Sequence, residues 1–134
     1  MKNWIAALAV LFLATTAQAA CLDVSKAENI VSLYGKLASA TVAGPPNYED
    51  VAQGDAAEVI YILQLAKSIC IEDGGEFADP RENFDQVHVY SLNGLMLKML
   101  KRKSGKDVRI EGNGFAAHTI HHRRPLVVSV TAVK

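Results

Sequence analysis

Gln86-Val87-His88-Val89-Tyr90-Ser91-Leu92-Asn93-Gly94-Leu95-Met96-Leu97-Lys98-Met99-Leu100 changes its apolar period partway along. Up to Tyr90 it alternates, sending Val87 and Val89 to one face and His88 and Tyr90 to the other, which is the pattern of a half-buried strand. From there Leu92, Leu95, Met96, Met99 and Leu100 recur at the spacing of one helical stripe. Ser91 stands where a cap belongs, and Gly105 where a left-handed stop belongs. Lys98, Lys101, Arg102 and Lys103 crowd the last turns, where the helix dipole favours cations. The reading is a strand running directly into a short amphipathic helix.

Working outward, Val31 to Leu37 alternates with Val31, Leu33 and Leu37 inward, and Gly35 on that inward face predicts a bend. Gly44 to Asp55 is a polar, proline-containing surface loop. Glu58 to Leu65 is β-branched and aromatic-rich, a strand covered on both faces, with a weak continuation through Ile69-Cys70-Ile71. Lys106 to Gly112 is a further strand, and Gly112 and Gly114, two apart, predict a bend or a close approach of backbones. Leu126 to Val133 is the last. The fold expected is mainly β, a small five-stranded OB-like barrel with one α-helix between strands 3 and 4. An SH3-like barrel is the rival, but it does not place a helix there.

Residues 1–19 read as a cleaved Sec signal: Lys2, then the apolar run Trp4 to Ala14, then Ala17-Gln18-Ala19 as a small-x-small cleavage site. A lipoprotein signal ending at Cys21 is the alternative, but Gln18 stands where that signal wants a Leu-like residue. Residues 20–134 fit one OB-like domain, and no later run is long enough for a transmembrane segment. Cys21 and Cys70 are the two cysteines of the chain. In a periplasmic or secreted protein such a pair predicts a disulfide. Formal net charge is zero, which argues against a general nucleic-acid binder. The charge is nevertheless segregated, with ten acids between Pro46 and Leu97 and nine bases from Lys98 to Lys134.

Chemistry concentrates between the last two strands, where His118, His121, His122, Arg123 and Arg124 follow one another. OB-type barrels bind ligands over strands 2 and 3, between the loops joining strands 1 to 2 and 4 to 5. This places Tyr48 of the first loop, His88 and Tyr90 of strand 3 and the five hairpin residues around one surface. A non-enzymatic module recognising an anionic protein or a cell-wall ligand is the leading reading, since arginine binds carboxylates bidentately. The alternative is a periplasmic zinc or copper protein using His118, His121 and His122. Two adjacent arginines oppose a bound dication, and otherwise no cofactor is expected. A catalytic role carries less weight: no nucleophile, carboxylate pair or phosphate-cradling loop accompanies the histidines. The bland alternative is a solvated turn.

Several of these residues also resemble a known family. Gly35, Pro45-Pro46-Asn47-Tyr48 with Gly54-Asp55, Ile69-Cys70-Ile71, and Gly114-Phe115-x-Ala117-x-Thr119-x-His121-His122 look like a bacterial exported family, domain of unknown function 4431. The chain departs from that pattern at Ile120 and Arg123, where the family carries a small residue and often a third histidine. The resemblance implies the domain boundaries and a role for the hairpin, and it carries no activity.

Overall fold

The computed structural model describes residues 20–134, so the expected signal sequence lies outside the described residues. The elements in order are β1 (Leu22–Asp23), β2 (Ile30–Ala43), β3 (Ala57–Ile69), β4 (Ile71–Glu72), β5 (Phe84–Tyr90), α1 (Gly94–Lys103), β6 (Asp107–Ala116) and β7 (Leu126–Val133). The five long strands pair in the order β2-β3-β5-β7-β6 and close into a barrel. Every neighbouring pair is antiparallel except β5 and β7, which run parallel. Among the described residues no helix is long and apolar enough to cross a membrane.

Alternation decides what fills the barrel. Leu37, Leu63, Val87, Val89, Ile110 and Leu126 are all fully buried inside it. On β3 the run Ile60 to Leu63 is buried at every position, as a strand covered on both faces requires. The strands are longer than periodicity alone implied, because hydrogen bonding continues where the apolar pattern fades. β2 pairs with β3 as far as Ala43, opposite Ala57.

Two glycines let the barrel curve. A Cβ on Gly35 would overlap the carbonyl oxygen of Gln64, and one on Gly112 would overlap that of Ser129. The pairing of β6 with β7 shifts register between Glu111 and Gly112, so the close approach falls at an irregularity in the sheet.

The helix corrects two expectations. Its N-cap is Asn93, whose side chain accepts the Met96 N–H, whereas Ser91 Oγ accepts the Asn93 N–H and so supports the cap from outside. The apolar stripe is also only partly used: Leu100 is buried and Met96 packs on the core, but Leu92 and Leu95 are exposed. Leu92 precedes the cap and so lies outside the helix, and Leu95 in the first turn is not covered by the barrel. The left-handed stop at Gly105 is present, with φ 86°.

The expected bridge is formed. Cys21 and Cys70 are disulfide-bonded across a separation of 49 residues. It stands beside the parallel pairing of β1 with β4, which sets Leu22 opposite Ile71, and Val24 just beyond is buried in the core.

Candidate functional site

The connection between β6 and β7 is not a free hairpin tip. Residues 117–125 form a strap, closed at its base by the Ala117 N–H donating to the Pro125 carbonyl at 2.9 Å. The strap is tied to the outer face of β3 and β5. Beneath it runs a row of outward-facing side chains joined by strand pairing, Ile62 opposite His88, His88 opposite Val127, Val127 opposite Phe115. Three of them, Ile62, His88 and Val127, are buried.

Both arginines point into the protein. The Arg123 guanidinium donates to the Ala43 carbonyl at 2.9 Å and to Glu58 Oε2 at 3.2 Å. It also lies over the Tyr48 ring, 5.5 Å from the centroid. Its side chain is only 14% exposed, so its charge is held by Glu58 and turned away from solvent. Arg124 Nε donates to Gln86 Oε1 at 2.8 Å, and Gln86 in turn donates to Gln64 Oε1. Arg123 and Arg124, expected at the ligand surface, are therefore engaged with the protein itself. Glu58, Gln64 and Gln86 are the partners that sequence reading missed. Gln64 gave a signal, as the lone polar residue in the apolar run Val59 to Leu65, whereas Glu58 and Gln86 lie near strand ends and gave none.

His88 was expected to stand exposed on its strand and is instead 6% exposed. Its Nδ1 accepts the backbone N–H of Arg123 at 3.2 Å. An amide N–H can only donate, so Nδ1 carries the lone pair and Nε2 the proton. Burial, then the charges of His122, Arg123 and Arg124, lower its pKa to about 4. His122 follows the same logic. Its Nδ1 accepts the N–H groups of His118 and Thr119 at 3.0 and 3.2 Å. Burial first, then the neighbouring His118 and His121, lower its pKa.

These hydrogen bonds bear directly on metal binding. With Nδ1 of His88 and His122 committed to backbone donors, their remaining ring nitrogens carry hydrogen and offer no lone pair. His118 differs: its Nδ1 stands 3.0 Å from the Ala116 carbonyl, which leaves Nε2 as the acceptor. Its ring stacks on Phe77 at 5.0 Å between centroids, whereas His121 meets the edge of Tyr48 at 5.4 Å. Among the described residues no three His, Cys, Asp or Glu side chains are grouped to hold a metal ion. His118, His121 and His122 are not grouped around one point as placed.

The first loop is ordered by Asp55. Its buried carboxylate accepts the N–H groups of Asn47, Glu49 and Asp50 at 2.9, 2.8 and 3.0 Å. Those N–H groups, Glu49 first and then Asn47 and Asp50, hold its pKa below the usual carboxylate range. Tyr48 within this loop has φ 59°, an uncommon conformation for a bulky side chain. It brings the ring between Arg123 and His121. The two loops expected to border one surface do meet, through Tyr48.

What remains open is a groove of about 360 Å³ beside the strap, lined by Glu58, Val59, Tyr61, Tyr90, Leu97, His121 and His122 among others. A second depression of about 420 Å³ shares Val59, Tyr61 and Leu97 with it and reaches Lys98 and Lys101. They meet at Val59, Tyr61 and Leu97, where β3 passes α1, and together reach from the imidazoles to the basic turn of α1. Of the residues expected at the site, Tyr90, His121 and His122 line this groove, and His88 lies at its buried floor. His118 lines a separate pocket with Phe77 and Phe115. Arg123, Arg124 and Tyr48 lie outside the lining, where they hold the walls.

Acid should loosen the strap. In an unfolded chain the His88 imidazole takes a proton as pH falls through about 6.5, but in the fold only near pH 4. Between those values the unfolded state binds more protons, so stability is complete above the window and declines within it. The loss amounts to about 3 kcal/mol across the window. Urea unfolding from pH 7.5 to 4.5 should follow that decline. His88→Asn, which keeps an acceptor near the Nδ1 position without the titration, should flatten it; equal slopes for both proteins would exclude this role.

The family model for a domain of unknown function (DUF4431) matches residues 86–134. The match opens at Gln86 in β5 and takes in α1, β6, the whole strap and β7, so it contains the strap motif, while Gly35, Pro45 to Tyr48, Gly54-Asp55 and Ile69 to Ile71 lie outside it. No curated protein matches the chain.

Proposed function

We propose that this chain, which matches the DUF4431 family model over residues 86–134, is an exported, non-catalytic recognition module built on an OB-type barrel. The barrel order β2-β3-β5-β7-β6, with α1 between β5 and β6, supports the OB assignment. Export is supported by the signal-like residues 1–19 and by the disulfide, a bond that persists in oxidising compartments.

The observation that carries the binding role is the groove that the two adjoining depressions form at Val59, Tyr61 and Leu97. Its walls are aromatic and aliphatic, Val59, Tyr61, Tyr90 and Leu97, with imidazoles at one end and Lys98 and Lys101 at the other. Such a surface suits an extended ligand of the cell envelope that has apolar faces and carboxylates, such as a peptidoglycan fragment. Recognition of an anionic ligand is retained, but the attracting charge is assigned to the two lysines. Arg123 and Arg124 position the strap that forms the groove's far wall.

NMR titration of the ¹⁵N-labelled protein with soluble peptidoglycan fragments tests this. Shifts should cluster at Val59, Tyr90, Leu97 and His121, and Lys98→Glu with Lys101→Glu should weaken binding roughly tenfold. Absence of shifts, or shifts confined to another face, would remove the groove from consideration.

A further inference from the structure

Two leucines at the start of α1 do nothing for the fold. Leu92 is 95% exposed and Leu95 79%. Leu92 immediately precedes the cap Asn93, where an apolar residue often packs on the fourth helical position. That position is Leu97, itself 45% exposed, and at 95% exposure Leu92 makes no such contact. Leu95 and Met99, one turn apart on the same flank, line an open trough of about 450 Å³ beside Val130 at the end of the barrel.

Charge surrounds this apolar step in one sign. From Gln86 to Lys106 the chain has five bases, Lys98, Lys101, Arg102, Lys103 and Lys106, and no acid. Among the described residues none of the five enters an ion pair. Arg102 continues the flank of Leu95 and Met99, with its guanidinium 3.1 Å from Met99 Sδ. The first turn is thus apolar and the later turns basic.

We propose that α1 docks the protein on an anionic lipid surface. Leu92 and Leu95 enter the acyl boundary while Lys98, Arg102 and their basic neighbours meet the phosphates. The order of chemistry along the helix, apolar and then cationic, matches the order met on leaving the acyl region of a bilayer for its headgroups. The zero net charge of the whole chain means that attraction to such a surface arises locally. A protein partner would instead need an acidic rim around an apolar pocket. Leu92 and Leu95 line neither part of the groove over β3, whereas Lys98 lines it, so the leucine variant is the one that separates this docking from the recognition role.

The barrel, the helix and the disulfide all lie within residues 20–134. That unit is used for the test, because the apolar segment Trp4 to Ala14 would itself partition into lipid. Co-sedimentation with phosphatidylglycerol-containing vesicles should capture the wild type, and pure phosphatidylcholine vesicles should capture much less. Leu92→Gln with Leu95→Gln should weaken capture at least ~30-fold, from the loss of two buried side chains. Thermal melting should be unchanged, since neither leucine is buried. Lys98→Glu with Arg102→Glu should weaken capture roughly tenfold, and high salt should do likewise. No capture by anionic vesicles, equal capture by neutral ones, or undiminished capture of the leucine variant would each overturn the proposal.

Discussion

Gly112→Val should lose more than about 4 kcal/mol, enough to leave a barrel of this size largely unfolded. Valine is the better strand former of the two residues, so any loss is steric. The first atom of the new side chain would overlap the Ser129 carbonyl oxygen, with the Ser129 carbonyl carbon 2.8 Å away and Val128 Cγ1 3.0 Å away. Backbone cannot step aside as the end of a flexible side chain can, because Val128 and Val130 on either side are buried in the core. Circular dichroism melts compare the variant with the wild type. A midpoint within a few degrees of wild type would mean that β6 and β7 separate more easily than their pairing implies.

Removing the disulfide by Cys21→Ser with Cys70→Ser should cost roughly 4 kcal/mol, from the restored freedom of the unfolded loop. The bridge closes a separation of 49 residues, and it fastens the end of the chain that carries Val24 into the core. The double variant should therefore unfold at clearly lower urea with a slope similar to the wild type. Reduction of the wild type should reproduce the same shift. Midpoints that coincide with and without the bridge would show that β1 and β4 hold their register through the Leu22 N–H to Cys70 carbonyl bond and its neighbours alone.

Much of this was legible in the chain. The alternation around Val87 and Val89 gave β5, and the switch at Ser91 announced a helix, although its cap moved to Asn93. Two cysteines left one possible bridge. Gly35 in its strand implied a bend, and Gly112 a bend or a close approach of backbones. Amphipathic spacing misled at Leu92 and Leu95, because periodicity records which residues could share a face but not whether that face is covered.

The candidate site was legible as a neighbourhood, and its chemistry was not. His118 to Arg124 does approach the loop of Tyr48 over β3 and β5, as barrel connectivity implied. Yet the same connectivity turns Arg123 inward to Glu58, 65 residues earlier, and buries His88 as an acceptor for a strap 35 residues later.

The sequence by itself determined the five barrel strands, the helix, the cysteine pair and the gathering of histidines and arginines in one connection, because spacing and composition are local and covalent. Only the tertiary structure decided which way that connection lies, which imidazole nitrogens keep a lone pair, and which cations still face solvent. Those outcomes depend on donors and acceptors brought together from distant parts of the chain, and burial makes each of them find a partner.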